Sequence, residues 1–184
     1  MKDLKSTALL VMDLQEGIVD RIDEDKKKDF LEKVKSTVSF AHKNNILVIY
    51  VVVGFRYGFP EISKNNKAFN AMKENFSTIM INPVPVIKLE KNDILVTKHR
   101  FSAFSGSDLD TILRSNNITH LVLSGISTSG VVLSTTREAA DKDFEITILS
   151  DLCFDFDEEV HNILINKIFP RQANIVTSEE WGIL

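Results

Sequence analysis

The sequence predicts an α/β fold of three layers, a six-stranded parallel sheet flanked by helices. Two patterns lead to it. Six short apolar segments recur, at residues 8–12, 46–53, 94–96, 121–123, 146–149 and 175–176. Several are continuously apolar rather than alternating, as strands buried on both faces are. Between them, apolar residues recur at helical spacing, so each intervening helix can cover one face of the sheet. Strand and helix in regular alternation, joined by right-handed crossovers, give a Rossmann-like arrangement.

The elements follow in order. The first strand, residues 8–12, runs directly into Asp13. Phe30, Leu31, Val34, Val38 and Ala41 then form one face of a helix leading to the second strand at 46–53. The stretch from Gly54 to about Val86 is too long for a simple crossover loop. It is expected to hold a short helix over residues 68–75 and part of a pocket wall. The third strand, 94–96, leads through Thr97 to Lys98.

Leu109, Ile112 and Leu113 mark the next helix, with a capping-box-like start in Ser107-Asp108-Leu109-Asp110 and a stop at Asn116-Asn117. After the strand at 121–123, Ser124-Gly125-Ile126-Ser127-Thr128-Ser129-Gly130 reads as a strand end, a tight loop and a helix start. The strand at 146–149 precedes a helix carrying Val160, Ile163, Leu164 and Ile168. The acidic run Asp155-Phe156-Asp157-Glu158-Glu159 suits that helix's amino end, where the dipole favours negative charge. It lacks the glycine and spacing of a calcium loop. No internal repeat or linker interrupts the chain, which reads as one domain over residues 1–184.

A domain of 184 residues hides about 70% of the surface its unfolded chain exposes, enough for a sizeable core. A formal charge of -4 without a basic cluster argues against nucleic acid, which needs a basic face. Lys26-Lys27-Lys28 follows Asp23-Glu24-Asp25 and reads as a solvated helix start. The single cysteine, Cys153, has no partner for an internal disulfide, and the amino terminus lacks a signal-peptide pattern, so a cytoplasmic location is expected. No apolar run approaches the roughly 20 residues that span a bilayer, and no membrane role is expected.

In an open parallel sheet the ligand crevice lies outside the carboxyl ends of the strands. The residues there are Asp13, Gly54-Phe55-Arg56, Lys98-His99-Arg100, the loop after Gly125, and Asp151. Asp13 alone reads equally as a turn or cap residue, and Lys98 alone as a surface lysine. Together they form an opposite-charge pair above one sheet, suited to acid/base work and to holding a developing anion. Successive backbone amides in Ser127, Thr128, Gly130 and Val131 suggest an oxyanion or anion site at the helix start, with Ser129 as its cap. Arg56 and Arg100 are candidates for gripping a carboxylate, or for ion pairs elsewhere. Phe55 and Phe104, with Tyr57, Phe59 and Phe101, are candidates for the pocket wall or for the core.

Val11-Met12-Asp13-Leu14-Gln15, Thr97-Lys98-His99-Arg100-Phe101-Ser102-Ala103-Phe104, Gly125-Ile126-Ser127-Thr128, and the late stretch Asp151-Leu152-Cys153, Val160-His161 and Phe169-Pro170-Arg171 occur in order along the chain. Together they resemble the isochorismatase-like hydrolase superfamily, across nearly its whole length. The resemblance implies a six-stranded parallel sheet, homo-oligomerisation, a small-molecule substrate and, in amidase members, an Asp-Lys-Cys triad. Asp13 and Lys98 match the first two positions, and Gln15, Phe55, Arg56, Arg100 and Phe104 are the candidate substrate-binding residues.

The cysteine position falls on Val131, which has no nucleophilic atom. Cys153 matches a site where similar chains carry a non-catalytic thiol. The expected function is therefore hydrolysis of a small organic molecule, with anions among the candidate substrates, by Asp13 and Lys98 without a cysteine nucleophile. A non-catalytic binding protein of the same fold and an amidohydrolase with a serine or threonine nucleophile are the alternatives. For the hydroxyl, Asp13 is the candidate base. No cofactor is expected. Nor is a metal, because Gly54-Phe55-Arg56-Tyr57-Gly58-Phe59-Pro60, where the resemblance implies the metal ligands of nicotinamidase-like members, includes no histidine, and the four histidines, His42, His99, His120 and His161, are dispersed.

Overall fold

β1 (Thr7–Met12), β2 (Leu47–Val53), β3 (Ile94–Lys98), β4 (His120–Ile126), β5 (Glu145–Phe154) and β6 (Asn174–Val176) form one sheet. All neighbouring strands are parallel, in the order β3-β2-β1-β4-β5-β6. The computed structural model describes residues 4–183, without the side chains of 76–78 and 183. The outermost residues of the expected 1–184 span lie outside the described residues.

Why both faces are covered follows from the strands themselves. Every residue of β1 is buried, so its alternating side chains enter two separate cores. Leu9 and Val11 face the side of α1 (Glu24–Lys43), whose Phe30, Val34, Val38 and Ala41 recur at helical spacing. Leu10 and Met12 face the other side, packing with Leu109 and Leu113 of α3 (Leu109–Ser115) and Ala139 of α4 (Leu133–Asp141). Each such aliphatic side chain contributes about 1.5–3 kcal/mol when fully buried. The expected three-layer α/β fold is the observed one.

Local signals place several boundaries. α3 starts where Ser107 Oγ accepts the Leu109 amide at 3.2 Å, and Asn116 is its carboxyl cap. α5 (Glu158–Ile163) is capped by Asp157, whose carboxylate accepts the Val160 amide at 3.0 Å.

Three features differ from expectation. α2 (Lys67–Ile81) is longer than residues 68–75, starting where Asn66 accepts the Phe69 amide. β5 continues to Phe154, made possible by a shift of register against β4 between Leu123 and Gly125. A short last helix, α6 (Ser178–Ile183), was not signalled by periodicity, being too short to show a repeat. Asp151 serves that helix rather than the crevice, accepting from the Ser178 amide and hydroxyl, both at 2.7 Å. Among the described residues no helix is long and apolar enough to cross a membrane.

The strand order reverses beside β1: β2 and β3 lie to one side, β4 to β6 to the other. The crevice outside the carboxyl ends of β1 and β4 is where such a sheet opens.

Candidate active site

β1 ends at Met12, and the next residue turns the chain out of the sheet. Asp13 takes a left-handed backbone, φ 57°, while its amide still donates to the Val51 carbonyl at 2.7 Å. Aspartate is among the few non-glycine residues that tolerate this region. Lys98 is the last residue of β3, in register with Val53 at the end of β2. Its Nζ lies 3.0 Å from Asp13 Oδ2 and donates to the Arg100 carbonyl at 2.8 Å.

Both side chains are withdrawn from solvent, at 2% exposure for Lys98 and 8% for Asp13. Burial raises the Asp13 carboxyl above its ordinary range, and the charge and hydrogen bond of Lys98 oppose that rise. The other carboxyl oxygen, Oδ1, is buried with no hydrogen-bond partner among the described residues.

The third component is the connection from β4 to α4. Gly125 has φ 151°, and a Cβ there would stand 2.4 Å from the Met12 carbonyl oxygen. Only glycine lets the end of β4 lie this close to β1. The Ile126–Ser127 peptide is cis, and Thr128–Val132 form a π-type turn leading into α4.

The expected array of loop amides is partly engaged within the protein. Gly130 and Val132 amides both donate to the Ser127 carbonyl at 3.2 Å. The Ser129 amide donates to the Asp155 carboxylate at 2.7 Å. An acidic side chain from beyond β5 thus occupies the loop, in place of a cap by the Ser129 hydroxyl. The Thr128 hydroxyl is fully buried and pairs with His161 Nδ1 at 2.8 Å, so the imidazole, not Asp13, is the base within its reach. Burial lowers the His161 pKa, opposed by the charges of Asp155 and Glu158.

A cavity of about 150 Å³ lies over the pair. Asp13, Gln15, Lys98, Ser127, Gly130 and Val131 line one part. Ile18, Phe69, Met72, Met80, Phe101 and Phe156 form an apolar wall, with Arg21 beside them. α2 supplies much of that wall, as anticipated for the segment after β2. Gln15 holds the end of β2, accepting the Val53 amide at 2.8 Å and donating to the Val53 carbonyl at 3.1 Å.

Seven residues proposed from sequence stand away from this cavity, among them Tyr57, which is exposed, and Phe59, which packs with Phe55. Thr128 is beneath the loop. Phe55 is in an aromatic cluster, its ring 5.6 Å from that of Phe69. Arg56 is exposed and paired with Glu61, within its own loop. Arg100 donates to the His99 and Glu61 carbonyls at 2.5 Å and 3.0 Å, which ties the same loop to the end of β3. Phe104 stacks on Phe144 in the core, ring centres 6.0 Å apart.

Sequence reasoning overlooked Arg21 and Phe156. Arg21 sits in a short 3-10 turn, Val19–Arg21, whose only signal is that it follows the first strand. Phe156 was hidden inside an acidic run. The Arg21 guanidinium lies 4.1 Å from the Phe156 ring centre, joining the chain after β1 to the chain after β5.

Cys153 lies in β5 opposite Gly125, does not line the cavity, and has its thiol pushed up to about 12 by burial. Among the described residues no group of three or more His, Cys, Asp or Glu side chains is placed to hold a metal ion.

Comparison with known proteins places the chain in a family. The Isochorismatase domain family matches residues 7–180. The isochorismatase family protein YwoC of Bacillus subtilis is 32% identical, with 97% of this chain and 94% of that protein covered. YecD of Escherichia coli O157:H7 is 33% identical, with 96% and 94% covered. Two further relatives are ureidoacrylate amidohydrolase RutB of Acinetobacter baylyi, 29% identical with 82% and 71% covered, and an Arabidopsis thaliana protein named a probable inactive nicotinamidase, 26% identical with 97% and 95% covered. Among solved structures, an isochorismatase family protein of Burkholderia thailandensis superposes with a TM-score of 0.79 at 25% identity, covering 96% and 93% of the two chains. With a family match over most of its length and relatives above 30% identity, the chain belongs to the isochorismatase family.

Proposed function

We propose that the protein is a hydrolase of a small organic molecule that uses Asp13 and Lys98 and no cysteine nucleophile. The observation that carries this reading is the buried pair at 3.0 Å lining a mostly apolar cavity. Buried titratable groups with a raised carboxyl pKa, gathered in a cleft, are the usual equipment of acid/base catalysis. The name of the relative RutB, an amidohydrolase, supports hydrolysis as the reaction class.

In this reading Asp13, disposed by burial to carry a proton, donates it to the oxygen or nitrogen that leaves. A water adds to the other side of the breaking bond, and its proton returns to Asp13. Lys98 stabilises the carboxylate that exists between these two transfers, and its hydrogen bond to the Arg100 carbonyl fixes where that charge sits. Either an ether or a C–N bond fits the sequence of steps.

One observation favours a second reading, a binding protein without turnover. Val131, the cavity-lining residue at the position to which the resemblance assigns the amidases' cysteine, offers only methyl groups, a reading that the name of one relative, a probable inactive nicotinamidase, supports. A hydroxyl nucleophile has less support. Thr128 has a base within reach but does not line the cavity, whereas Ser127 lines it with no base bonded to its hydroxyl among the described residues.

Screening small amides, ureides and vinyl ethers for turnover, followed by Asp13→Asn, tests the choice. The proposal expects activity that falls at least ~100-fold in the variant. Turnover that survives Asp13→Asn unaltered overturns it, and ligand binding without turnover supports the second reading.

A further inference from the structure

We propose that His161 is a positioning residue of the cavity: through the Thr128 hydroxyl it holds the turn that presents Ser127, Gly130 and Val131 to a ligand, and it does so only while its ring is neutral. The inference rests on the cavity assigned above as the active site and goes further by naming what fixes its loop side.

Three observations converge. First, the segment that follows β5 grips two successive residues of the turn. His161 Nδ1 meets Thr128 Oγ1 at 2.8 Å, and Asp155 Oδ2 accepts the Ser129 amide at 2.7 Å. The segment is braced on itself: Asp155 Oδ1 accepts the Asp157 amide at 3.2 Å, and Asp157 in turn caps α5. Phe156, between these two acids, belongs to the cavity wall. One stretch of chain, 155–161, therefore fixes both the loop and a wall of the cavity.

Second, the turn passes on what happens at Thr128. Ser127, Gly130 and Val131, on either side of the two gripped residues, line the cavity. The Gly130 and Val132 amides close back on the Ser127 carbonyl, and a Cβ on Gly130 would stand 2.7 Å from Ser127 Oγ. A turn packed so closely on itself has no slack, and a shift at Thr128 carries its neighbours along.

Third, the bond depends on the protonation of the ring. The Thr128 hydroxyl is fully buried, and among the described residues His161 is its one bonded partner. A buried hydroxyl needs an acceptor for its proton. Nδ1 accepts that proton only in the neutral ring, because both nitrogens of an imidazolium are donors. Burial keeps the ring neutral by lowering its pKa, while Asp155 ahead of α5 and Glu158 on α5, the charged groups that face it, act in the opposite sense. Acidification therefore removes the acceptor of the Thr128 proton. It also sets a positive charge beside Asp155, whose carboxylate holds the Ser129 amide.

Amide NMR spectra of the full chain between about pH 7.5 and about pH 5, with the His161 ring followed alongside, provide the first test. The inference expects the Ser127, Gly130 and Val131 amide signals to move with the midpoint of the ring, which lies below 6.5. In Thr128→Val the ring still titrates, but these amides should lose most of their response, since the bond has gone and the ring charge has not. Amides that ignore the ring in the unaltered protein, or that follow it equally in Thr128→Val, overturn the inference.

A reporter thiol reads the same effect at the cavity. On a Val131→Cys background, His161→Ala should raise the rate of iodoacetamide labelling at position 131 by about fivefold, the scale of one hydrogen bond, because the loosened turn opens the approach to it. His161→Asn, whose side-chain oxygen can stand in for Nδ1 as acceptor, should restore the slower rate. A rate unchanged in His161→Ala, or not restored in His161→Asn, overturns the inference, and the titration of the unaltered protein holds whether or not these variants fold. Neither measurement involves turnover, so both stand apart from the catalytic role of Asp13, which only turnover in Asp13→Asn decides.

Discussion

Lys98 Nζ approaches Asp13 Oδ2 to 3.0 Å across the end of β2, so the ends of two non-adjacent strands, β3 and β1, are joined by one buried ion pair. Breaking such a pair exposes its cost, because the remaining charge has neither water nor partner. Lys98→Met is expected to destabilise the protein by about 3–5 kcal/mol near neutral pH. The double variant Asp13→Asn/Lys98→Met should recover most of that loss, measured by urea unfolding.

The same pair fixes a pH dependence. A carboxyl whose folded pKa is raised above its unfolded value of 3.8 is fully tolerated below that value. Its contribution is then lost as pH rises through the raised pKa. Without Lys98 to oppose the rise, the loss extends further upward. The destabilisation in Lys98→Met should therefore be smaller at about pH 5 than at about pH 7, and an equal penalty at both would contradict the burial argument.

Position 131 offers a chemical test of what the cavity admits. Native protein is expected to resist alkylation by iodoacetamide near neutral pH, since Cys153 is buried and its thiol is pushed up to about 12. Val131→Cys should be labelled at the new site only, as mapped by mass spectrometry. Adding Lys98→Met should slow the labelling, because the nearby cation that favours the thiolate is gone.

Gly125 has no room for a side chain. Gly125→Ala would press a methyl against the Met12 carbonyl at 2.4 Å and impose a left-handed φ on alanine. A loss of at least about 2 kcal/mol is expected from the strained conformation and the clash together. Gly58 is the control: it also has a positive φ, but a Cβ there meets nothing within 4 Å, so Gly58→Ala should cost less.

His161 links the loop to α5 through Thr128, and its folded pKa lies below 6.5. The unfolded chain binds the proton first on acidification, so its stability contribution is present above 6.5 and is lost as pH falls below it. Asp155 and Glu158 face the ring and moderate the effect. Unfolding midpoints between about pH 7 and pH 5 should fall less in His161→Gln than in the unaltered chain.

How much of this was legible beforehand depends on the range of the interaction. Continuous apolar runs and helical spacing are local patterns, and they located all six strands and the faces of α1 and α3; of the apolar set expected on the helix after β5, Ile163 is exposed and Leu164 is buried in the turn beyond α5. The strand ends then followed, which is why Asp13, Lys98 and the loop from Ser127 to Val131 could be named as neighbours of one crevice. Register was not legible: the shift between Leu123 and Gly125 that lengthens β5 depends on how two strands meet.

The sequence by itself determined the layered fold and the positions of the Asp13–Lys98 pair, because burial on both faces of a parallel strand is written into consecutive residues. Only the tertiary structure decided which side chains serve the cavity. Arg56 and Arg100 were captured by Glu61 and His99, Asp151 by α6, and Asp155 by the amide of Ser129, 26 residues earlier in the chain. Arg21 and Phe156, with no pattern to mark them, came together at the cavity. The physical reason is that periodicity reports whether a residue is buried, whereas the partner of a polar side chain is set by the packing of segments distant in sequence.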